Sequence, residues 1–265
     1  MPELPEVETE RGRLAARLVG RRITSARIDD ERLTRPDDPE LVAARLSGQR
    51  VAALERRGKY LLIRLGAGAI LLVHLRMTGG FRYGPASHER AVLALDDGTR
   101  IAYRDLRRFG TWTLLEPEEA EEHLATRLGP EPLEPGFTAE FLRMRLEGRR
   151  APVKAAILDQ RTVAGLGNIY ADESLWHAGI HPLRPAGSLS PEEIAALRRG
   201  VRAALRRGIR RQGADLGDGT YAGGRMQHEF RVYGRLGEPC DRCGTPIEKT
   251  RAGGRGTWYC PECQQ

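Results

Sequence analysis

The chain opens Met1-Pro2-Glu3-Leu4-Pro5-Glu6-Val7-Glu8, and three of these residues could do chemistry together. A small second residue such as Pro favours removal of the initiating Met, which would leave Pro2 with a free secondary amine. An α-amino group titrates near pKa ~8, against ~10.4 for lysine, so a useful fraction is unprotonated and nucleophilic at neutral pH. Attack of a secondary amine on an aldehyde-type carbon gives an iminium that is charged without a further proton. Such an intermediate splits one hard step into two easier ones. Glu3 and Glu6 offer carboxylates within a few residues for acid and base work. The same stretch also reads as an ordinary helix start, with Pro5 at the first position and acids in the first turn.

A second constellation uses every cysteine in the chain. Cys240 and Cys243, then sixteen residues, then Cys260 and Cys263, make two C-x2-C turns. Each turn presents two thiolates, and two turns close a tetrahedron around Zn2+. With four protein ligands no position is left for water, so the site is structural. Gly244, Gly253, Gly254 and Gly256 fit a short hairpin between the pairs. So small a segment lacks a core of its own, and the metal could supply ~10 kcal/mol or more of folding free energy. A disulfide reading is disfavoured in a cytoplasmic chain.

Composition bounds the rest. At 265 residues there is room for one large domain or two modest ones. No apolar run exceeds the length of Ala69 to Val73, which is too short to span a membrane. The acidic start lacks the apolar stretch of a secretory signal, so a cytoplasmic protein is expected. A net charge of +7 and a pI near 9.6 favour a polyanionic partner. Of 43 basic residues only Lys59, Lys154 and Lys249 are lysines. Where Arg has replaced Lys almost everywhere, a surviving Lys points weakly to a need for a flexible point charge.

Elements to position these residues follow from periodicity and turn signals. Residues 5–18 read as a helix with Val7, Leu14 and Leu18 on one face. Strands are expected over 23–28, 50–55, 60–65, 69–75, 91–95, 100–104 and 111–115, with hairpin signals at Gly66-Ala67-Gly68 and Asp96-Asp97-Gly98-Thr99. Short strands with tight turns suggest a β-sandwich carrying the leading helix, within an α+β chain. Residues 116–122 read as a solvated helix. The Pro-rich, aperiodic stretch 128–135 is the expected linker between a domain at 1–127 and the remainder. Beyond it the pattern turns helical: Thr138 caps one helix, Pro152 opens another, and Asn168 reads as the N-cap of a third. Ser190-Pro191-Glu192-Glu193 is a capping box for a long helix to about Arg211. Seven arginines lie between Arg198 and Arg211, and Arg198, Arg202, Arg206 and Arg210 share one face. In so Arg-biased a chain, that face reads as solvated rather than as a site.

Five strings now stand in order: PELPEVE at the start, HLRMTG at His74 to Gly79, RRFG at Arg107 to Gly110, GLGNIYADE at Gly165 to Glu173, and the four-cysteine hairpin. End to end, the chain resembles the formamidopyrimidine-DNA glycosylase family, whose members excise oxidised purines from DNA and nick the strand. The resemblance implies a helix–two-turn–helix DNA-binding domain over 136–228 and a zinc finger over 229–265. It implies that Pro2 attacks C1′ of the damaged nucleotide to form a Schiff base, followed by β,δ-elimination. Glu3 would be the acid–base group and Glu6 a support. Lys59, His74, Asn168 and Arg255 would hold phosphates. Met77, Arg107 and Phe109 would fill the gap left by the flipped nucleotide, and Lys154 would lie near the lesion. The partner implied is double-stranded DNA containing oxidised bases, bound by a monomer. A base buried in the stack must be flipped out for excision, and an apolar wedge recovers part of that cost.

Other readings stand beside these. Taken alone, Met77 and Phe109 at strand ends are core residues, His74 a structural histidine, Arg107 and Arg108 surface charges, and Asn168 only a cap. Gly213 to Gly224 falls where many relatives have a differently composed loop that closes over the flipped base, which leaves lesion preference open. Leu106 stands where the family usually has Pro. An endonuclease VIII-like enzyme for oxidised pyrimidines typically begins PEGPE rather than PELPE. A non-catalytic damaged-DNA-binding protein on the same scaffold is the third alternative.

Overall fold

In the computed structural model, residues 1–215 and 223–265 are described, so much of the Gly213–Gly224 segment lies outside them. The chain divides into two compact units. One takes in Met1–Pro2 and Glu6–Thr126; the other takes in Glu3–Pro5, Arg127–Ala214 and Gly223–Gln265.

The first unit follows the leading helix α1 (Leu4–Leu18) with β1 (Ile23–Ile28), the short α2 (Glu31–Thr34) and α3 (Pro39–Leu46). Then come β2 (Val51–Arg57), β3 (Tyr60–Leu65), β4 (Ile70–His74), β5 (Gly79–Tyr83), β6 (Glu89–Leu95), β7 (Arg100–Asp105), β8 (Thr111–Leu115) and α4 (Pro117–Ala125). Two antiparallel four-stranded sheets, ordered β1-β6-β7-β5 and β2-β3-β4-β8, make the expected sandwich. Its core joins Val7, Leu14 and Leu18 of α1 to strand residues such as Leu61, Val73 and Leu93. Each such buried side chain contributes about 1.5–3 kcal/mol. Phe81, Tyr103 and Trp112 pack as a trio, with Tyr103 and Trp112 centroids 5.3 Å apart.

Three elements lie outside the sequence expectation. Strand β5 begins Gly79-Gly80, which carries little strand propensity. It forms because β7 pairs with it, Phe81 opposite Tyr103. The edge N–H of Phe81 is taken by the buried Glu10 carboxylate of α1 at 2.7 Å. Burial pushes that carboxyl up, against the Phe81 hydrogen bond. Helix α2 is a single turn, too short to show a period. Helix α3 does carry a readable start, since the Asp38 side chain accepts from Glu40 N and Pro39 sits at the first position.

The second unit contains α5 (Ala139–Leu146), α6 (Val153–Leu158), α7 (Asn168–Ala178) and α8 (Pro191–Arg210), then the hairpin β9 (Glu248–Ala252) and β10 (Arg255–Tyr259). The Ser190 capping box opens α8 as expected. Helix α7 is buried from Ile169 to Trp176. Gly200 lets α8 approach it: a Cβ there would lie 2.4 Å from the Ser174 carbonyl oxygen. The Pro-rich stretch after Arg127 is itself packed, with Gly129 N donating to Gln160 O. The Arg face of α8 is partly spent on it. Arg198 donates to Phe137 O at 2.6 Å, and Arg202 to Pro132 O and Glu134 O at 2.9 and 2.7 Å.

Candidate active site

In the sandwich unit, strand pairing places several of the singled-out residues at one end. Tyr60 pairs with His74 across β3 and β4, and His74 pairs with Thr111 across β4 and β8. Lys59, just before β3, therefore lies at the same end as His74 and the start of β8. The His74 ring meets the Tyr60 ring edge-on at 4.7 Å, and its Nδ1 accepts from Arg76 N at 3.0 Å. Burial, reinforced by Arg76 and Lys59, pushes the His74 pKa down to about 3. The ring is therefore neutral at physiological pH, with its proton on Nε2, the nitrogen that can donate. Lys59 is also buried. This end of the sandwich is cationic without being acidic at His74, which suits a phosphate.

Residues 75–78 and 106–110 project from the same end. Phe109 is 51 % exposed and Leu106 is 52 % exposed, so Phe109 is no core residue. The Arg107 guanidinium lies 4.8 Å from the Phe109 ring centroid. Arg76 and Arg108 adopt left-handed backbone, φ 53° and 59°. Such a conformation costs a non-glycine residue about 1 kcal/mol or more and persists only where neighbours enforce it. For Arg108 the enforcement is a two-bond pairing with Asp30 at 2.6 and 2.8 Å. Met77 is half-buried, and Arg107 is exposed like Phe109.

The helical unit shows what the GLGN string is for. The Glu3 carboxylate accepts from Ile169 N at 2.9 Å and Tyr170 N at 3.3 Å, two donors of the first turn of α7. A helix N-terminus attracts a negative group in just this way. A Cβ on Gly167 would stand 2.2 Å from the Glu3 carboxyl carbon, and one on Gly165 2.7 Å from Leu4 Cβ. Both glycines are therefore clearance for Glu3 and Leu4. This corrects one expectation: the N-cap of α7 is Gly167, and Asn168 is its first helical residue. The helix N-terminus is occupied by Glu3. Pro2 and Glu6 are buried.

Lys154 and Asn168 converge on one carbonyl of the zinc hairpin. Lys154 Nζ donates to Gly256 O at 2.8 Å and Thr257 Oγ1 at 2.9 Å, and pairs with Asp172 at 2.7 Å. Asn168 Nδ2 donates to the same Gly256 O at 3.1 Å. Arg255, one residue before, is exposed. Lys154 and Asp172 are both 0 % exposed as side chains. Two hydrogen bonds and an ion pair thus engage the Lys154 ammonium, which has no exposed surface. Burial pushes the Asp172 carboxyl up to about 7 even with Lys154 beside it. Asp172 also accepts from Trp258 N at 3.1 Å, and its neighbour Glu173 accepts from Arg231, Val232 and Tyr233 N–H groups. Sequence reasoning passed over both acids within GLGNIYADE. Two adjacent acids inside an otherwise apolar helix were the available signal.

The four cysteines come together as their spacing requires. Their sulfurs all lie within 4.8 Å of one another, with Cys240–Cys263 at 3.9 Å and Cys243–Cys260 at 3.5 Å. Zn–S bonds of ~2.3 Å in a tetrahedron put sulfurs about 3.8 Å apart, so this set fits zinc. Arg242 stacks 3.8 Å from the Trp176 ring centroid and donates to Trp176 O at 2.8 Å, seating the first knuckle on α7.

Three family models cover most of the chain. Residues 1–112 match the formamidopyrimidine-DNA glycosylase N-terminal domain, 128–218 its H2TH domain, and 237–265 the zinc finger found in FPG and IleRS. The formamidopyrimidine-DNA glycosylase of Symbiobacterium thermophilum is 49% identical, covering 100% of this chain and 89% of its own. The crystal structure of the MutM (Fpg) protein of Thermus thermophilus superposes with a TM-score of 0.90 at 42% identity, covering 99% of this chain and 98% of that one. The Lactococcus lactis protein, crystallised with DNA containing Fapy-dG, superposes with a TM-score of 0.93 at 36% identity, covering 99% and 100%.

Proposed function

The chain belongs to the formamidopyrimidine-DNA glycosylase family, and from that premise we propose how its residues divide the work. It is a base-excision repair enzyme for oxidised purines, a DNA glycosylase with strand-cleaving lyase activity and one structural zinc. Its substrate is duplex DNA containing 8-oxoguanine or formamidopyrimidines. Pro2, with Met1 removed, attacks C1′ as the glycosidic bond breaks and the base departs; the C1′–O4′ bond of the resulting aminal then opens, O4′ taking a proton, to leave an iminium. The positive nitrogen acidifies the C2′ protons, so β-elimination expels the 3′ phosphate; the conjugated iminium that results acidifies the C4′ proton, and δ-elimination expels the 5′ phosphate. Water then releases the sugar fragment from Pro2. Glu3 moves protons during ring opening. Its carboxylate is held by two N–H groups of α7, so the residue bonded to Pro2 has a fixed position. Glu6 supports the start of α1.

Lys59 and neutral His74 hold phosphates from the sandwich, and Asn168 and Arg255 from the helical unit. Met77, Arg107 and Phe109 enter the duplex where the damaged nucleotide leaves. The observation that carries this reading is the outward Phe109 with Arg107 beside its ring, at the same end of the sandwich as the buried cation Lys59 and the buried, neutral His74. An exposed aromatic raised on strained backbone is a poor use of apolar surface unless it meets a partner. No helix among the described residues is long and apolar enough to cross a membrane. A monomer working in the cytoplasm suits the reading.

Borohydride reduction tests it. The protein should become covalently linked to duplex DNA containing 8-oxoguanine or an abasic site, and Pro2→Gly should lose most of the adduct. Absence of adduct from wild-type protein with zinc bound and Met1 removed, verified by intact mass, would refute the Pro2 mechanism. Faster excision of thymine glycol than of 8-oxoguanine would favour the pyrimidine-specific alternative.

A further inference from the structure

Residues 75–78 and 106–110 are neighbours at both ends. The first segment leads from β4 to β5 and the second from β7 to β8, so both cross from one sheet of the sandwich to the other. At one end His74 pairs with Thr111; at the other Gly79 pairs with Asp105. Between these pairings runs a side-chain link. The buried Asp105 carboxylate accepts from the Thr78 hydroxyl and from Arg107 N at 3.2 Å through Oδ1, and from Gly110 N at 2.7 Å through Oδ2. The Thr78 hydroxyl in turn accepts from Arg107 N at 2.9 Å. One carboxylate and one hydroxyl thus hold three points: Thr78 beside Met77, and Arg107 and Gly110 on either side of Phe109.

The packing beneath is equally shared. A Cβ on Gly79 would lie 2.2 Å from the Tyr103 hydroxyl, and one on Gly110 1.9 Å from the same oxygen and 3.0 Å from Asp105 Oδ2. The glycines that end HLRMTG and RRFG therefore close around the same buried tyrosine. Tyr103 is fixed by the Phe81 and Trp112 rings. Neither loop can shift without disturbing the groups that hold the other.

We propose that Asp105, acting through Thr78, is a positioning residue that locks the Met77 loop and the Arg107–Phe109 loop into a single unit, so that they enter the duplex together. This rests on the reading of Met77 and Phe109 as the residues that fill the opened stack. Its consequence is energetic coupling: once one probe is removed, the other loses most of its value, because neither is placed independently. Thr78 is half-exposed, so substituting it leaves the sandwich core in place.

The experiment is a double-mutant cycle. Single-turnover excision of 8-oxoguanine from a duplex is measured for Met77→Ala, Phe109→Ala and the pair, in the wild-type and Thr78→Val backgrounds. Each single truncation should slow excision, and the double should be little slower than the worse single. The non-additivity should lie between about twofold and a hundredfold, as for groups in one network. In Thr78→Val the effects should become additive, whereas Thr78→Ser, which keeps the hydroxyl, should preserve the coupling. Borohydride trapping on single-stranded abasic DNA, which needs no invasion of a stack, should be unchanged in Thr78→Val. Asp105→Asn should behave like Thr78→Val with a larger loss, since an amide has one acceptor oxygen where three donors converge. Additive effects in the wild-type background, or coupling that survives Thr78→Val, would overturn the proposal while leaving the probe reading intact. If neither truncation slowed excision by an active wild-type enzyme, the probe reading itself would fail, and the coupling with it.

Discussion

The sandwich exposes Phe109 and Arg107, and half-buries Met77, on segments whose backbone is pinned by Asp105 and Thr78. The helical unit does the reverse. Its charged residues Lys154, Asp172, Glu173 and Glu3 are buried at 0–2 % exposure, and what they hold in place is backbone: the Gly256 peptide, the 231–233 N–H groups and the first turn of α7. A side chain that must enter a base stack has to be free of other partners. A group that is to grip a phosphate, as proposed for Arg255, benefits from a rigid mount, and buried hydrogen-bonded charge is one way to make a mount rigid. Polar residues of the same motif-level prominence therefore have opposite environments in the two units.

Removal of zinc should separate the units most sharply. Chelation, or Cys260→Ser, should unfold the 237–265 hairpin, because the metal supplies ~10 kcal/mol or more there. Limited proteolysis should then cut the hairpin first while the sandwich resists, and DNA binding should collapse. Next in size is the buried pair. Asp172→Ala leaves Lys154 charged and unpaired, and should cost about 3–5 kcal/mol in urea unfolding. The double change Lys154→Met with Asp172→Leu should recover much of that stability. It should not recover DNA affinity if the pair serves to place Gly256 and Arg255.

A pH series should report on the sandwich. The His74 pKa is pushed down to about 3 in the folded protein, first by burial and then by Arg76 and Lys59. Its unfolded value is near 6.5. The folded state therefore binds fewer protons between those values, and stability should be full above about pH 6.5 and fall as pH drops towards 3, by up to about 4 kcal/mol. His74→Gln should flatten that part of the curve; an unchanged slope would place the neutral histidine elsewhere in the accounting. Gly167→Ala should be milder, about 1–3 kcal/mol, since a Cβ there meets the Glu3 carboxyl at 2.2 Å and can be relieved by moving it. The cost should appear chiefly in excision rate, because the residue bonded to Pro2 is displaced. Smallest in stability is Phe109→Ala, expected within about 0.5 kcal/mol in thermal unfolding because the ring is half exposed. Its duplex excision should nevertheless fall, which is the signature of a residue held out for a partner.

Much of the architecture was legible because it is local. Strand ranges such as Tyr60–Leu65 and Thr111–Leu115 follow from alternation bounded by turns, and the α8 start from its capping box. Strand β5 was not, since Gly79-Gly80 has no propensity to read and the strand exists through β7 and Glu10. The burial of Lys154 is not legible in the sequence for a related reason. A lysine's number in a sequence gives no burial, and the residue that pairs with it, Asp172, lies on another helix.

By itself the sequence determined the zinc site, since four cysteines in two C-x2-C turns leave one economical arrangement. It also determined the family, through five strings in order, and with it the amine chemistry expected of Pro2. Only the tertiary structure decided that Glu3 caps a helix 166 residues away, that Lys154 faces inward, and that Asp105 joins the 75–78 and 106–110 loops. The physical reason is range. Turn chemistry and metal-ligand spacing act between near neighbours and leave a pattern in the chain, whereas a buried carboxylate is placed by whichever distant N–H groups the fold brings to it.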